Sequence, residues 1–170
     1  MKNKIKKIKV FACDVDGILT DGKIIFNNHG VQTKNFNVLD GFGLVLLKQL
    51  NFKTAIITAR GARVVTLRAK DLGINKVYLD SHNKIKEYEK LLRHFRVKDE
   101  EVCFMGDDLT DLKVLKRVGF AVSVPNGAGE VKRAADYITK KQGGQGAVRE
   151  VVELILKTQG LWKKVMAKYA

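Results

Sequence analysis

Short apolar runs recur along the chain, and amphipathic stretches separate them. Ile8–Cys13, Thr54–Thr58, Lys76–Leu79, Val102–Met105 and Phe120–Val124 are rich in branched or aromatic residues and show little polar alternation. Such runs read as strands covered on both faces, the pattern of a parallel sheet. Helical patterns lie between them. Phe42–Leu50 comes first, then Ala62–Leu72, which Gly73 is placed to end. Lys84–Phe95 carries Ile85, Tyr88, Leu91, Leu92 and Phe95 at helical spacing. Leu109–Arg117 and Val148–Lys157 complete the set. Strands alternating with helices predict an α/β fold built on a doubly wound, mostly parallel sheet. One segment breaks the rhythm. Lys23–Phe26 and Thr33–Phe36 flank Asn27, Asn28, His29 and Gly30, which predicts a small β-hairpin insertion at about residues 22–37. It is too small to be a cap domain.

The 170 residues contain no linker and no repeat, so residues 1–170 are read as a single domain. No apolar run approaches the roughly 20 residues of a membrane helix. Met1–Lys9 is basic, but the apolar run after it is too short for a signal peptide, so a cytoplasmic location is expected. The net charge of +14 is spread along the chain, without an aromatic-rich RNA-binding strand or zinc-finger spacing. A lysine-rich solvated surface explains it, and neither a nucleic acid nor a membrane is expected as partner. Cys13 and Cys103 sit inside apolar runs and read as buried, reduced core residues.

In sheets of this kind ligands bind beyond the carboxyl ends of the strands. The first strand is followed by Asp14-Val15-Asp16-Gly17. Residues two apart on an extended chain face one side, so two carboxylates share a space and call for a cation or a shared proton. The fourth strand is followed by Gly106-Asp107-Asp108-Leu109-Thr110-Asp111. Asp108 and Asp111 suit helix capping, which leaves Asp107 unexplained. Hard oxygen ligands without histidine or cysteine suit Mg²⁺. The second strand ends in Thr58-Ala59-Arg60, a hydroxyl and a guanidinium fitted to phosphate oxygens, and the loop after the third reaches Lys84. Acids, a metal, a hydroxyl and cations together make a phosphoryl-transfer site.

Asp14-Val15-Asp16-Gly17, Thr58, Lys84 and Gly106-Asp107-Asp108 resemble, in order, the four motifs of the haloacid dehalogenase superfamily, a Rossmann-like fold. Asp16–Gly22, Phe36–Gly43, Asp71–Ile74 and Gly143–Glu150 resemble its capless subfamily acting on 3-deoxy-D-manno-octulosonate 8-phosphate, over about Lys9 to Gly160. That resemblance implies a Mg²⁺-dependent phosphomonoester hydrolase of lipopolysaccharide precursor synthesis, working on a small anionic sugar phosphate. It implies Asp14 as nucleophile, forming an aspartyl-phosphate, and Asp16 as general acid and base. Thr58 and Lys84 would steady the phosphoryl group. The Asp14 carboxylate, the Asp16 backbone carbonyl and Asp107 would hold Mg²⁺, with Asp108 beside them. Asp16, Asp40, Gly41, Arg60, Arg68, Lys84 and Arg149 are the expected substrate contacts. The family assembles as a tetramer through its hairpins, so a homotetramer is expected, with an interface segment at about 143–170.

Three positions depart from the family pattern: Leu39 stands where Arg is common, Ala59 where Gly is common, and Asp80 near an expected Gly. Leu39 removes a contact to an anionic substrate group and leaves the sugar open. The alternatives are another sugar-acid phosphate, such as a nonulosonate 9-phosphate, or a non-catalytic basic assembly module. The C-terminal stripe of Leu161, Trp162, Val165, Met166 and Tyr169 fits a subunit contact.

Overall fold

A computed structural model describes residues 1–169; Ala170, the last residue of the expected interface segment, lies outside them. The chain begins with a one-turn helix, α1 (Lys2–Ile5). The sheet strands are β1 (Val10–Cys13), β4 (Lys53–Ile57), β5 (Lys76–Tyr78), β6 (Val102–Met105), β7 (Phe120–Ser123) and β8 (Tyr137–Ile138). Two short strands, β2 (Ile25–Phe26) and β3 (Gln32–Thr33), pair antiparallel as a separate hairpin. The remaining helices are α2 (Val38–Gln49), α3 (Arg63–Leu72), α4 (Lys84–Phe95), α5 (Leu112–Leu115), α6 (Gly129–Ala134), α7 (Ala147–Thr158) and α8 (Trp162–Tyr169).

The six strands run parallel in the order β5-β4-β1-β6-β7-β8. The expected α/β fold is therefore present, with the chain winding outward from β1 in both directions. Alternation along each strand splits the core in two. Phe11, Cys13, Ile56, Cys103, Met105, Phe120 and Val122 face one side, with Leu44, Leu47, Val151 and Ile155 from α2 and α7. Val10, Ala12, Ala55, Ile57, Val102 and Phe104 face the other, with Tyr88, Leu91 and Val114 from α4 and α5. Each fully buried large side chain contributes about 1.5–3 kcal/mol, so these two layers hold the strand ends in register. Both cysteines are buried and free, as expected, and burial pushes their thiols up.

Parts of the fold differ from the sequence reading. The stretch expected as one helix over Leu109–Arg117 is a tight 3-10 turn, Leu109–Asp111, followed by α5. The Asp111 carboxylate folds back onto the amides before the turn, which tightens it. α6 and β8 went unforeseen because each is short; α6 buries only Val131. The hairpin is present, with two paired residues in each arm rather than four.

Candidate active site

β1 lies between β4 and β6, and the residues that follow these three strands meet at one end of the sheet. The Asp14 N–H continues the ladder to the Met105 carbonyl at 3.0 Å, which sets the Asp14 carboxylate at the sheet edge beside β6. The chain then turns at Gly17, whose φ of +82° suits glycine. A side chain there would also run into the Asp107 carboxylate. Gly143 packs on this turn from behind, so closely that a side chain would strike the Gly17 carbonyl. The glycine-rich segment thus supports the Asp14–Gly17 loop of its own chain.

An open cleft of about 280 Å³ lies above, lined by Asp14, Asp16, Gly17, Thr58, Arg60, Asp107, Asp108 and Thr110 among others. A larger cavity of about 390 Å³ opens at the opposite end of the sheet, among residues such as Leu50, Phe52 and Phe95. It has no carboxylate in its lining. Chemistry therefore belongs to the first cleft.

Beneath the cleft Lys84 is 1% exposed. Its ammonium donates to Asp14 Oδ2 at 2.5 Å and to Asp111 Oδ1 at 2.6 Å. Burial works against that charge, but the Asp14 and Asp111 carboxylates outweigh it and hold the ammonium above its ordinary range. Although it opens α4, Lys84 is thus a buried partner of two carboxylates. Asp111 Oδ2 accepts the N–H groups of Asp107 and Asp108 at 3.1 and 3.3 Å. The capping role expected of Asp111 is real, but its other oxygen is half of a buried ion pair. Asp14, Asp107 and Asp111 each place an oxygen within 4.8 Å of the others. Burial first, then the Asp111 and Asp14 charges, push the Asp107 carboxyl up to about 7. Burial, then Asp14, pushes Asp111 up to about 6.

Thr58, 1% exposed, donates its backbone N–H to the Tyr78 carbonyl, and its Oγ1 accepts the Arg60 N–H at 3.3 Å. Arg60 is half exposed, with Nε 4.0 Å from Asp16 Oδ2. The Asp16 carboxylate turns away from the acid cluster to the ammonium of Lys34, whose side chain is fully buried. Asp108 Oδ1 caps the turn after it, accepting the Leu109 N–H at 2.8 Å, so its carboxylate lies outside the three-acid group.

Four expected substrate contacts lie elsewhere. The Asp40 carboxylate is buried and accepts the N–H groups of Gly146 and Arg149 at 3.1 and 2.9 Å, which caps α7 across the α2–α7 contact. Gly41 faces the Arg68 guanidinium, which fills the space a side chain would take. Arg68 itself pairs with Asp71 at 2.6 Å and lies over Phe36. Arg149 pairs with Glu153 at 2.9 Å and stacks between Phe42 and Trp162. None of the four lines the cleft of this chain. Lys34 was missed. Its one signal was spacing: it stands two before Phe36, which packs against the core, so an extended chain turns both inward.

A parallel sheet with acids after β1 and β6, a hydroxyl after β4 and a lysine at the start of α4 is the framework of a haloacid dehalogenase-like hydrolase. The family model of that description matches residues 70–151. The chain is 40% identical to the 3-deoxy-D-manno-octulosonate 8-phosphate phosphatase KdsC of Escherichia coli K12, over 92% of this chain and 84% of that one. It is 41% identical to KdsC of Salmonella typhimurium over the same shares. The crystal structure of the Moraxella catarrhalis phosphatase, in complex with magnesium, phosphate and KDO, superposes with a TM-score of 0.97 at 46% identity. That match covers 99% of this chain and 97% of the other. The cobalt-bound deoxy-D-mannose-octulosonate 8-phosphate phosphatase from Haemophilus influenzae gives 0.89 at 33% identity, covering 92% of each chain. The chain belongs to the 3-deoxy-D-manno-octulosonate 8-phosphate phosphatase family of haloacid dehalogenase-like hydrolases.

Proposed function

We propose that this chain hydrolyses 3-deoxy-D-manno-octulosonate 8-phosphate to the free sugar acid and phosphate, a step in making lipopolysaccharide precursor. The observation that carries the reading is the buried Asp14–Lys84–Asp111 bridge under an open cleft. It fixes Asp14 in place and presents one of its carboxylate oxygens to a phosphate ester. Asp14 attacks phosphorus as the bond to the sugar oxygen breaks, and Asp16 gives that oxygen its proton. Water then attacks the aspartyl-phosphate at phosphorus and loses a proton to Asp16. The acyl-phosphate P–O bond breaks, phosphate leaves and Asp14 is restored. Thr58 and Lys84 hold the phosphoryl oxygens, and Arg60 at the mouth of the cleft forks onto them or onto the sugar carboxylate.

A divalent ion fits the residues present. Asp107 Oδ1 is buried without a hydrogen-bond partner, beside two further carboxylates, and all the donors are hard oxygens. Asp14, Asp107 and the backbone carbonyl of Asp16 would hold Mg²⁺, which when bound screens the charge between Asp14 and the phosphate.

Arg68, Arg149 and Asp40 are tied up within their own chain, and no cap covers the cleft. Recognition of the sugar acid therefore falls to a neighbouring subunit in a homo-oligomer, a tetramer formed through the hairpins. Ile24, Ile25, Phe26, Val31, Val38 and Leu39 are exposed on and beside the hairpin and supply the apolar surface. The enzyme works in the cytoplasm; no described helix is long and apolar enough to cross a membrane.

The test is phosphate release from 3-deoxy-D-manno-octulosonate 8-phosphate beside a panel of sugar phosphates that includes a nonulosonate 9-phosphate, with Mg²⁺ and with EDTA. The eight-carbon substrate is expected to lead, activity to need the metal, and Asp14→Asn to abolish it. Better turnover of the nine-carbon sugar would displace the substrate. Undiminished activity in Asp14→Asn would overturn the mechanism.

A further inference from the structure

Lys34 carries no role in any motif, yet its surroundings are built. It follows β3, on an arm whose other residues are mostly exposed: Ile25, Phe26 and Thr33 all face solvent. Against that background its side chain is wholly enclosed and its ammonium bonds Asp16 Oδ1. Enclosing a lysine is unfavourable by several kcal/mol unless the charge is paired, and it immobilises a long flexible stem. A surface hairpin has no structural need for that. Lys34 directly follows β3, and Phe36 packs against the core two residues on, which fixes the direction of the arm. Asp16 has no other hydrogen bond to its carboxylate among the described residues; Arg60 approaches only Oδ2, at 4.0 Å.

We propose that Lys34 is a positioning residue for the acid and base Asp16. It holds Oδ1 from behind, so that Oδ2 faces the ester oxygen in the cleft. The hairpin is thereby part of the catalytic apparatus as well as a surface. The inference rests on the reading of Asp16 as the proton donor to the leaving group.

Leaving-group chemistry tests it without relying on sugar recognition. The value of kcat/KM reports only the steps up to departure of the leaving group. Nitrophenolate departs without a proton, whereas phenolate needs one more, and the two esters have nearly the same shape. In Lys34→Met, with Mg²⁺ present, kcat/KM for phenyl phosphate is expected to fall at least about tenfold further than for p-nitrophenyl phosphate, within the range a general acid contributes. Lys34→Arg, which keeps the cation, should recover most of that difference and serves where the Met variant fails to fold. Equal losses on both esters, or no loss on either, would overturn the positioning role. So would a loss confined to 3-deoxy-D-manno-octulosonate 8-phosphate, which marks a sugar contact instead. A wild-type chain inactive on all three esters would overturn the phosphatase reading itself, and the role of Lys34 with it.

Discussion

Replacing Lys84 with methionine keeps most of the aliphatic stem and removes the one cation buried between Asp14 and Asp111. Three carboxylates then remain with their oxygens within 4.8 Å of one another. At an effective dielectric of about 20, two unit charges at that distance repel by about 3.5 kcal/mol. Protonation limits the damage. Neutralising a carboxyl of ordinary pKa near 4 requires about 1.4 kcal/mol for each pH unit above it, so about 5.5 kcal/mol at pH 8 and about 1.4 at pH 5. The variant is therefore expected to lose about 3–5 kcal/mol at pH 8, the range found when one partner of a buried pair is removed. For a chain of this size that is a Tm lower by about 6–20 °C.

The sign of the pH effect follows from the raised carboxyls. Asp107 and Asp111 hold protons up to about 7 and about 6 in the native state, and the unfolded chain releases them lower. Native stability thus falls as pH rises from about 4 to about 7. Lys84 lowers both values, so its loss extends the window to higher pH. Thermal melts of metal-free protein at pH 5 and pH 8 test this. The Tm deficit of Lys84→Met should shrink by at least half at pH 5. A deficit equal at both pH values, or below about 3 °C at pH 8, would refute the charge argument.

Three further outcomes are expected. Asp40→Ala removes the acceptor for the Gly146 and Arg149 amides at the start of α7 and should lower stability by about 1–2 kcal/mol in urea unfolding. Gly17→Ala forces a side chain into the Asp107 carboxylate at a left-handed backbone position. Calorimetric titration should show Mg²⁺ affinity down by about tenfold or more, as for lost support around metal ligands. Burial and the neighbouring acids hold the Asp107 carboxyl up near 7, so protons compete with the metal below that pH. Mg²⁺ affinity should therefore fall from pH 8 to pH 6, and titrations in buffers of different ionisation enthalpy should show proton release on binding.

The order of strands and the acids that follow them could be read because both are local patterns. Asp14 and Asp16 stand two apart, and Asp107 directly follows Gly106 at a strand end, so neighbouring strands were enough to bring them together. The partners of those acids were hidden because they depend on long-range packing. Asp40 caps α7 across 106 residues, and only the family resemblance marked it, as a substrate contact. Lys34 meets Asp16 only because the hairpin arm folds back, and among 32 Lys and Arg only its spacing from Phe36 marks it. Asp111 was legible as a cap, but not as a partner of Lys84, because one carboxylate does both with different oxygens.

Those partners also account for the charge of the site. Asp14, Asp16, Asp107, Asp108 and Asp111 stand in or under the cleft, against the cations Lys34, Lys84 and Arg60. With all five acids ionised the cleft is formally two charges negative, the wrong sign for a phosphate dianion. The +14 chain draws anions from a distance, but the local repulsion remains at contact. Two charges of the opposite sign are what the cleft lacks, and one divalent ion held by Asp14 and Asp107 would supply them. The two lysines do not line that cleft: Lys84 sits between Asp14 and Asp111, and Lys34 against Asp16.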